Sequence, residues 1–199
     1  MAVIVEQFAP DVQVYTADGA RVPLRTYWGH RPIVLTFLRH FGCAFCRDFI
    51  IKLRAAYPDF VERGAEITAI AQGNAPQTAH FANILRLPFP LLADPSREVY
   101  QAFELLEVGY TTLLHHSVMR EGMALAGRGE LPDVGYTIQT MLPTNNMSFR
   151  QMGGTFVIDE QGRVRYAHVD KQVYDHPQIP DLLEIVGSLT AQPVGTDAD

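Results

Sequence analysis

Short, almost wholly apolar runs alternate along this chain with stretches of helical spacing, and that alternation limits the folds open to it. Ile33-Val34-Leu35-Thr36-Phe37-Leu38 carries a single polar side chain. A strand of this kind has no face for water, so it belongs at the centre of a sheet covered on both sides. After it, Phe45, Phe49, Ile50, Leu53, Ala56, Tyr57 and Phe60 fall at helical spacing, with Pro58 among them and Gly64 as the stop. Glu66 to Ala71 predicts a second strand. Ala75 to Leu87 predicts a helix ended by Pro88, and Phe89 to Leu92 a short third strand. Asp94-Pro95 predicts an N-cap with proline at the first helical position, opening a helix through Leu106.

Residues 10 to 28 alternate loosely around Asp18-Gly19, a hairpin-type turn. Residues 109 to 150 show no period and read as an insertion holding one helix, Leu113 to Ala126, and a long loop. Regularity returns with Thr155 to Asp159, a Gln161-Gly162 turn and Val164 to Val169, a β-hairpin. Leu182 to Leu189 predicts a closing helix, and 190 to 199 a flexible C-terminal tail. The fold class is therefore α/β, a mixed sheet with helices on both faces. Residues 1 to 189 form one domain, interrupted by the insertion before the last hairpin.

The chain has 199 residues, enough to bury a core without covalent staples, and a formal charge of -6 with no basic run. Nucleic acid and anionic membranes are poor partners for it. Glu6, Asp11 and Asp18 interrupt any apolar leader, and no apolar stretch approaches the ~20 residues of a membrane span. The expected location is the cytoplasm.

The chain has two cysteines, Cys43 and Cys46, both in one C-x-x-C. Two cysteines this close cannot staple a secreted scaffold. They fall where the apolar strand gives way to the helix. A helix N-terminus offers unpaired N–H groups and partial positive charge, and both favour a thiolate. The spacing brings the sulfurs within reach, so that one attacks and the other resolves the mixed disulfide. Arg39, His40 and Arg47 add positive charge nearby, and Asp48 opposes it. Phe41, Phe45 and Phe49 suggest an apolar collar. Two other readings stand beside the redox one. The pair could be inert core, or it could join His40, His115, His116, His168 or His176 around a metal, although structural zinc needs four ligands. The redox reading is preferred, with no metal and no organic cofactor.

Other residues have simpler readings. Tyr27 and Trp28 are core aromatics. His168, Asp170, Asp175 and His176 read as an exposed strand end and loop in preference to a proton relay. Gly153-Gly154 would let backbone approach the cysteine turn closely.

The segments Ala9-Pro10-Asp11 through Asp18-Gly19, Val34 through Cys46, Phe89 through Ser96 and Gly154 through Asp159 together resemble the thioredoxin-like superfamily. Within it, the chain resembles the alkyl hydroperoxide reductase/thiol-specific antioxidant family. The stretch from Phe37 to Cys46, Gly153-Gly154-Thr155-Phe156, and His168-Val169-Asp170-Lys171 with Asp175-His176-Pro177 are similar to its peroxiredoxin-like 2 branch. The likeness covers about residues 9 to 187. It implies a thioredoxin-like, peroxiredoxin-type three-layer α/β/α sandwich.

In the family's Pro-x-x-x-Thr-x-x-Cys motif, Cys46 falls at the peroxide-attacking cysteine. Cys43 then stands at the threonine and Arg39 at the proline. The family's arginine before the late strand falls at Gly153, so Arg150 or Arg39 would have to serve for it. At the superfamily's cis-proline this chain has Gly154-Thr155. The resemblance thus makes Cys46 peroxidatic and Cys43 resolving, with Arg39, Arg150, Gly154 and Thr155 as supporting candidates. The thioredoxin habit reverses the two cysteines. Loss of the proline, threonine and arginine removes part of the donor set that polarises a peroxide.

The expected activity is a thiol-dependent redox reaction that reduces peroxides or disulfides through the pair, which an external thioredoxin- or glutathione-like thiol then restores. The rival is a non-catalytic redox sensor or interaction module of the same fold. Apolar surface on the insertion would suit a homodimer or another partner.

Overall fold

The computed structural model describes residues 5–110, 115–127 and 147–190. Thr190, the first residue of the expected C-terminal tail, is still helical; the rest of that tail and most of the long loop of the insertion lie outside the described residues.

The apolar run forms β3 (Ile33–Phe37), buried at every position. It follows an N-terminal hairpin of β1 (Gln13–Tyr15) and β2 (Arg21–Pro23). The remaining strands are β4 (Glu66–Ala71), β5 (Leu91–Ala93), β6 (Gly154–Ile158) and β7 (Val164–Val169). Their order across the sheet is β2-β1-β5-β4-β3-β6-β7. β3, β4 and β5 run parallel, while β1, β2, β6 and β7 pair antiparallel with their neighbours. β3 is thus central, as its composition requires.

The pleat of β3 divides the core. Val34 faces one layer with Ile67, Ala69 and Val157, covered by α1 (Ala44–Glu62), α2 (Ala75–Leu85) and α5 (Ile179–Thr190) through Phe49, Ile50, Leu53, Phe81, Leu182 and Val186. Ile33, Leu35 and Phe37 face the other with Ile70, Phe156 and Val164, covered by α3 (Glu98–Ala102), Phe103 and Leu24. Alternate side chains of one strand serve opposite layers, which produces the expected thioredoxin-like three-layer sandwich.

Local signals account for most boundaries. Gly64, at φ +74°, follows the last turn of α1, and Pro58 is accommodated within the helix. Asn74 and Gln77 form a reciprocal capping box on α2. That helix ends at Leu85, earlier than Pro88 suggested, because Arg86 adopts the left-handed conformation. α3 corrects the expectation more strongly. Arg97, also left-handed, delays its start to Glu98, and it ends at Ala102 instead of Leu106. Asp94 still acts as the cap at a distance, its carboxylate accepting from the N–H groups of Glu98, Val99 and Tyr100.

The insertion leaves and re-enters the fold at one place. Val108 N–H donates to Arg150 O and Met152 N–H to Leu106 O, both at 2.9 Å. Its helix, α4 (His116–Gly127), starts and ends slightly later than expected. Among the described residues no helix is long and apolar enough to cross a membrane.

Candidate active site

Beyond β3 the chain makes one more sheet-like bond, from Leu38 N–H to Ile70 O, and then turns through residues 39–43. The turn closes with Cys43 N–H donating to His40 O at 3.0 Å, and Cys43 becomes the N-cap of α1. Its sulfur accepts the N–H of Cys46 at 3.3 Å, so a thiol does the work of a capping hydroxyl. Cys43 and Cys46 are both buried and both free.

Arg39 is buried beside them. Its Nη1 lies 3.6 Å from Cys43 Sγ, its Nη2 donates to Phe149 O at 2.8 Å and its Nε to Gln151 O at 3.3 Å. The guanidinium therefore points one edge at the sulfur and spends the others on backbone that returns from the insertion. Gln72, directly after β4, completes the frame. Its side-chain amide donates to Arg39 O and Ser148 O, and its carbonyl accepts Ser148 N–H at 2.8 Å.

These neighbours split the two thiols. Burial works against charge on Cys43. It is outweighed by the Cys46 thiol, the Arg39 guanidinium, the Cys46 N–H and His176, which together pull Cys43 down to about 6. Burial and the adjacent Cys43 sulfur push Cys46 well above the ordinary thiol range. His40, buried and next to Arg39, is pushed down to about 3, first by burial and then by the arginine charge. Its ring meets Phe149 edge-on, with centroids 4.8 Å apart.

The other supporting candidates have different partners. Arg150 donates to Val108 O at 2.8 Å and sits over the Tyr110 ring. Thr155 Oγ1 pairs with Thr36 Oγ1 across the sheet at 3.1 Å. Gly154 pairs with Phe37 and packs under Leu105 and His168 O. Trp28 is buried in the core, as its reading required. The aromatic collar is present: Phe41 and Phe49 share one core cluster with Cys43 and Cys46, and Phe45 packs against it. Phe41 packs on Phe81, Phe45 meets Tyr174, and Phe49 stacks on His176.

The segment after β7 departs from its expected exposed state. The Asp170 side chain is 0% exposed and that of His176 only 12%. Gly153 makes room for this, since a Cβ there would stand 2.4 Å from Phe37 O and 2.8 Å from Asp170 Oδ2. Sequence reading passed over Gln72 and Gln151 altogether. The available signal for Gln72 was a polar residue immediately after a buried parallel strand. Among the described residues, no three His, Cys, Asp or Glu side chains converge as metal ligands.

The AhpC/TSA family model matches residues 5–167. Peroxiredoxin-like 2C of Mus musculus is 26% identical over 186 residues, covering 92% of this chain and 80% of the relative. A chloroplastic thioredoxin-like protein of Arabidopsis thaliana is 26% identical over 174 residues, covering 87% of this chain and 69% of its own. Among solved structures, the fold resembles peroxidoxin BcpB of Mycobacterium tuberculosis with a TM-score of 0.63 at 18% identity, covering 93% of this chain and 97% of that one. It also resembles a peroxiredoxin-like protein of Aquifex aeolicus with a TM-score of 0.64 at 12% identity, covering 95% and 89%.

Proposed function

Since the chain belongs to the AhpC/TSA family, we propose that it is a thiol-dependent oxidoreductase whose Cys43–Cys46 pair reduces peroxides, with Cys43 as the attacking thiolate. The observation that carries this order is the asymmetry of the pair. Cys43 caps α1, faces Arg39 and is pulled down to about 6, while Cys46 is held as a thiol. The order is the reverse of the one the family motif implies, and matches the thioredoxin habit.

The Cys43 thiolate attacks one peroxide oxygen. The O–O bond breaks, the sulfur becomes a sulfenic acid and the other oxygen leaves as an alcohol or water after taking a proton. The Cys46 sulfur then attacks Cys43, the S–O bond breaks, and water leaves as the disulfide forms. In sum, two thiols and one peroxide give one disulfide, one alcohol and one water. An external dithiol or glutathione-like thiol reduces the pair again, and a reducing cytoplasm would suit that cycle. Arg39 replaces the family's proline, so the guanidinium serves both the thiolate and a peroxide approaching it.

A disulfide substrate is the second reading. It is favoured by the absence of the family's proline and threonine at Arg39 and Cys43, because thiol–disulfide exchange needs only the two sulfurs.

The test is to titrate reduced protein with hydrogen peroxide and count free thiols. The wild type should lose both thiols per equivalent. Cys46→Ser should stop at a dimedone-trappable sulfenate on Cys43, and Cys43→Ser should react at the rate of an ordinary buried thiol. A wild-type pair that resists both peroxide and a glutathione disulfide buffer overturns the redox reading. Stoichiometric oxidation without turnover on thioredoxin or glutathione would favour the sensor.

A further inference from the structure

We propose that His176, oriented by the buried carboxylate of Asp170, is the proton-holding group of the cysteine pair. As an imidazolium it favours the Cys43 thiolate through space, and it passes protons through the two chemical steps. The inference rests on the proposed role of Cys43 and assigns an acid–base partner to it.

The geometry is that of an oriented imidazole. Asp170 Oδ2 lies 3.3 Å from His176 Nδ1, and the carboxylate has no solvent contact. The ring lies flat on Phe49, centroids 4.7 Å apart and planes 15° apart, one turn along α1 from Cys46. Its rotation is thus fixed on two sides. Nε2 is buried and has no hydrogen-bond partner among the described residues. A buried polar nitrogen left unmatched is costly unless it has a task or a transient partner. A buried carboxylate this close to Nδ1 favours a proton on that nitrogen, leaving Nε2 to exchange the other.

Several charged groups surround the ring. On its own segment are Asp170, Asp175 and His168, whose Nε2 stands 3.7 Å from Asp170 Oδ1 and 3.3 Å from Asp175 Oδ1. From the cysteine turn comes Cys43, whose sulfur Arg39 also faces. Asp48 and Lys52 of α1, paired with each other, line the same cleft as Phe45, Tyr174 and His176. Tyr166 of β7, raised first by burial, also feels Asp181 of α5 together with Asp175 and Asp170. Burial opposes charge on His176, but Asp170, Cys43 and Asp175 outweigh it and raise the imidazole above its ordinary value. The influence is mutual, since His176 lowers Cys43.

The proton count closes. When the Cys43 thiolate takes one peroxide oxygen, the imidazolium gives its proton to the departing oxygen and becomes neutral. Neutral His176 then accepts the Cys46 thiol proton, and Cys46 attacks Cys43. The same proton leaves with the hydroxide as water.

The test reads His176 directly. In the full-length wild type, the imidazole is titrated by NMR with the pair reduced and again after oxidation by diamide. Removing the thiolate charge should lower the His176 midpoint, and an identical midpoint in both states overturns the proposal. His176→Gln should raise the pH midpoint of Cys43 alkylation by iodoacetamide and slow disulfide formation from the Cys43 sulfenate, followed with Cys46 intact, at least tenfold, and Asp170→Asn should do both more weakly. An unchanged midpoint together with an unchanged resolving rate would also overturn it. Because the titration and the alkylation need no peroxide, they can succeed even where the peroxidase reading fails.

Discussion

The Arg39 guanidinium stands 3.6 Å from the Cys43 sulfur, one helical turn before it in sequence, and the same side chain holds the carbonyls of Phe149 and Gln151. A charge fixed this way cannot swing to solvent as a surface arginine does. Replacing Arg39 by Met should therefore move the alkylation midpoint of Cys43 up from about 6 toward that of an ordinary thiol, with Arg39→Lys between the two. Peptide-mapped iodoacetamide labelling across pH 4 to 10, about the range of thiol titrations, measures it. A midpoint unmoved in Arg39→Met would remove the arginine from the account.

His40 makes a separate prediction about acid. Its folded value, near 3, lies below its ordinary value of 6.5. Between these values the unfolded chain binds a proton that the folded chain refuses. Stability should therefore decline as pH falls from 6.5 toward 3, by about 1.4 kcal/mol per pH unit from this group alone. His40→Phe keeps a ring against Phe149 and should flatten that part of the profile. Urea unfolding at several pH values checks it, and an equal slope in both proteins would be the contrary result.

Gly153 leaves no space for a side chain, because the atom it would meet first is the backbone oxygen of Phe37. Gly153→Ala should cost roughly 1–3 kcal/mol through overpacking. It should also disturb the alkylation midpoint of Cys43, since Asp170 is the second atom it strikes. Serine at Gly29, which has open space around it, is the matched control and should change neither.

Tyr100 is fully buried in the layer opposite α1, and its hydroxyl donates toward Leu38 O at 2.5 Å and Ile70 O at 3.2 Å. It thereby ties together the ends of β3 and β4 just below the cysteine turn. Tyr100→Phe takes the Tyr100 hydroxyl from the buried Leu38 O, while Ile70 O keeps Leu38 N–H, and should cost about 1–3 kcal/mol in unfolding free energy. Amide exchange near residues 38–43 should quicken by more than elsewhere, whereas uniform quickening would make the effect merely global.

The frame of the molecule was legible because its signals are local. β3 announces itself by having almost no polar residue, α1 by its apolar period, and the late hairpin by its Gln161-Gly162 turn. α3 was overdrawn for an equally local reason. Asp94 does cap it, but a left-handed Arg97 intervenes, and neither spacing nor composition records a backbone angle. The cysteine pair was legible as a pair at the strand-to-helix turn, but its surroundings were not. Those are set by β6 pairing antiparallel to β3 with Phe37 opposite Gly154, which brings Gln151 and Asp170 to the turn across more than a hundred residues. His176 and Asp170 were visible as residues, yet their burial depends on that register.

The frame around Cys43 has a consequence in time. Gln72 and Arg39 both close on residues 148–151, so the cysteine turn is finished by the last third of the chain. On a ribosome the two thiols emerge long before those residues do. Until the late hairpin docks, Cys43 lacks both its ordered arginine and its histidine, and it has the reactivity of any thiol. The acidity is acquired upon completion, so an unfinished chain passes through its most vulnerable stage with Cys43 still an ordinary thiol.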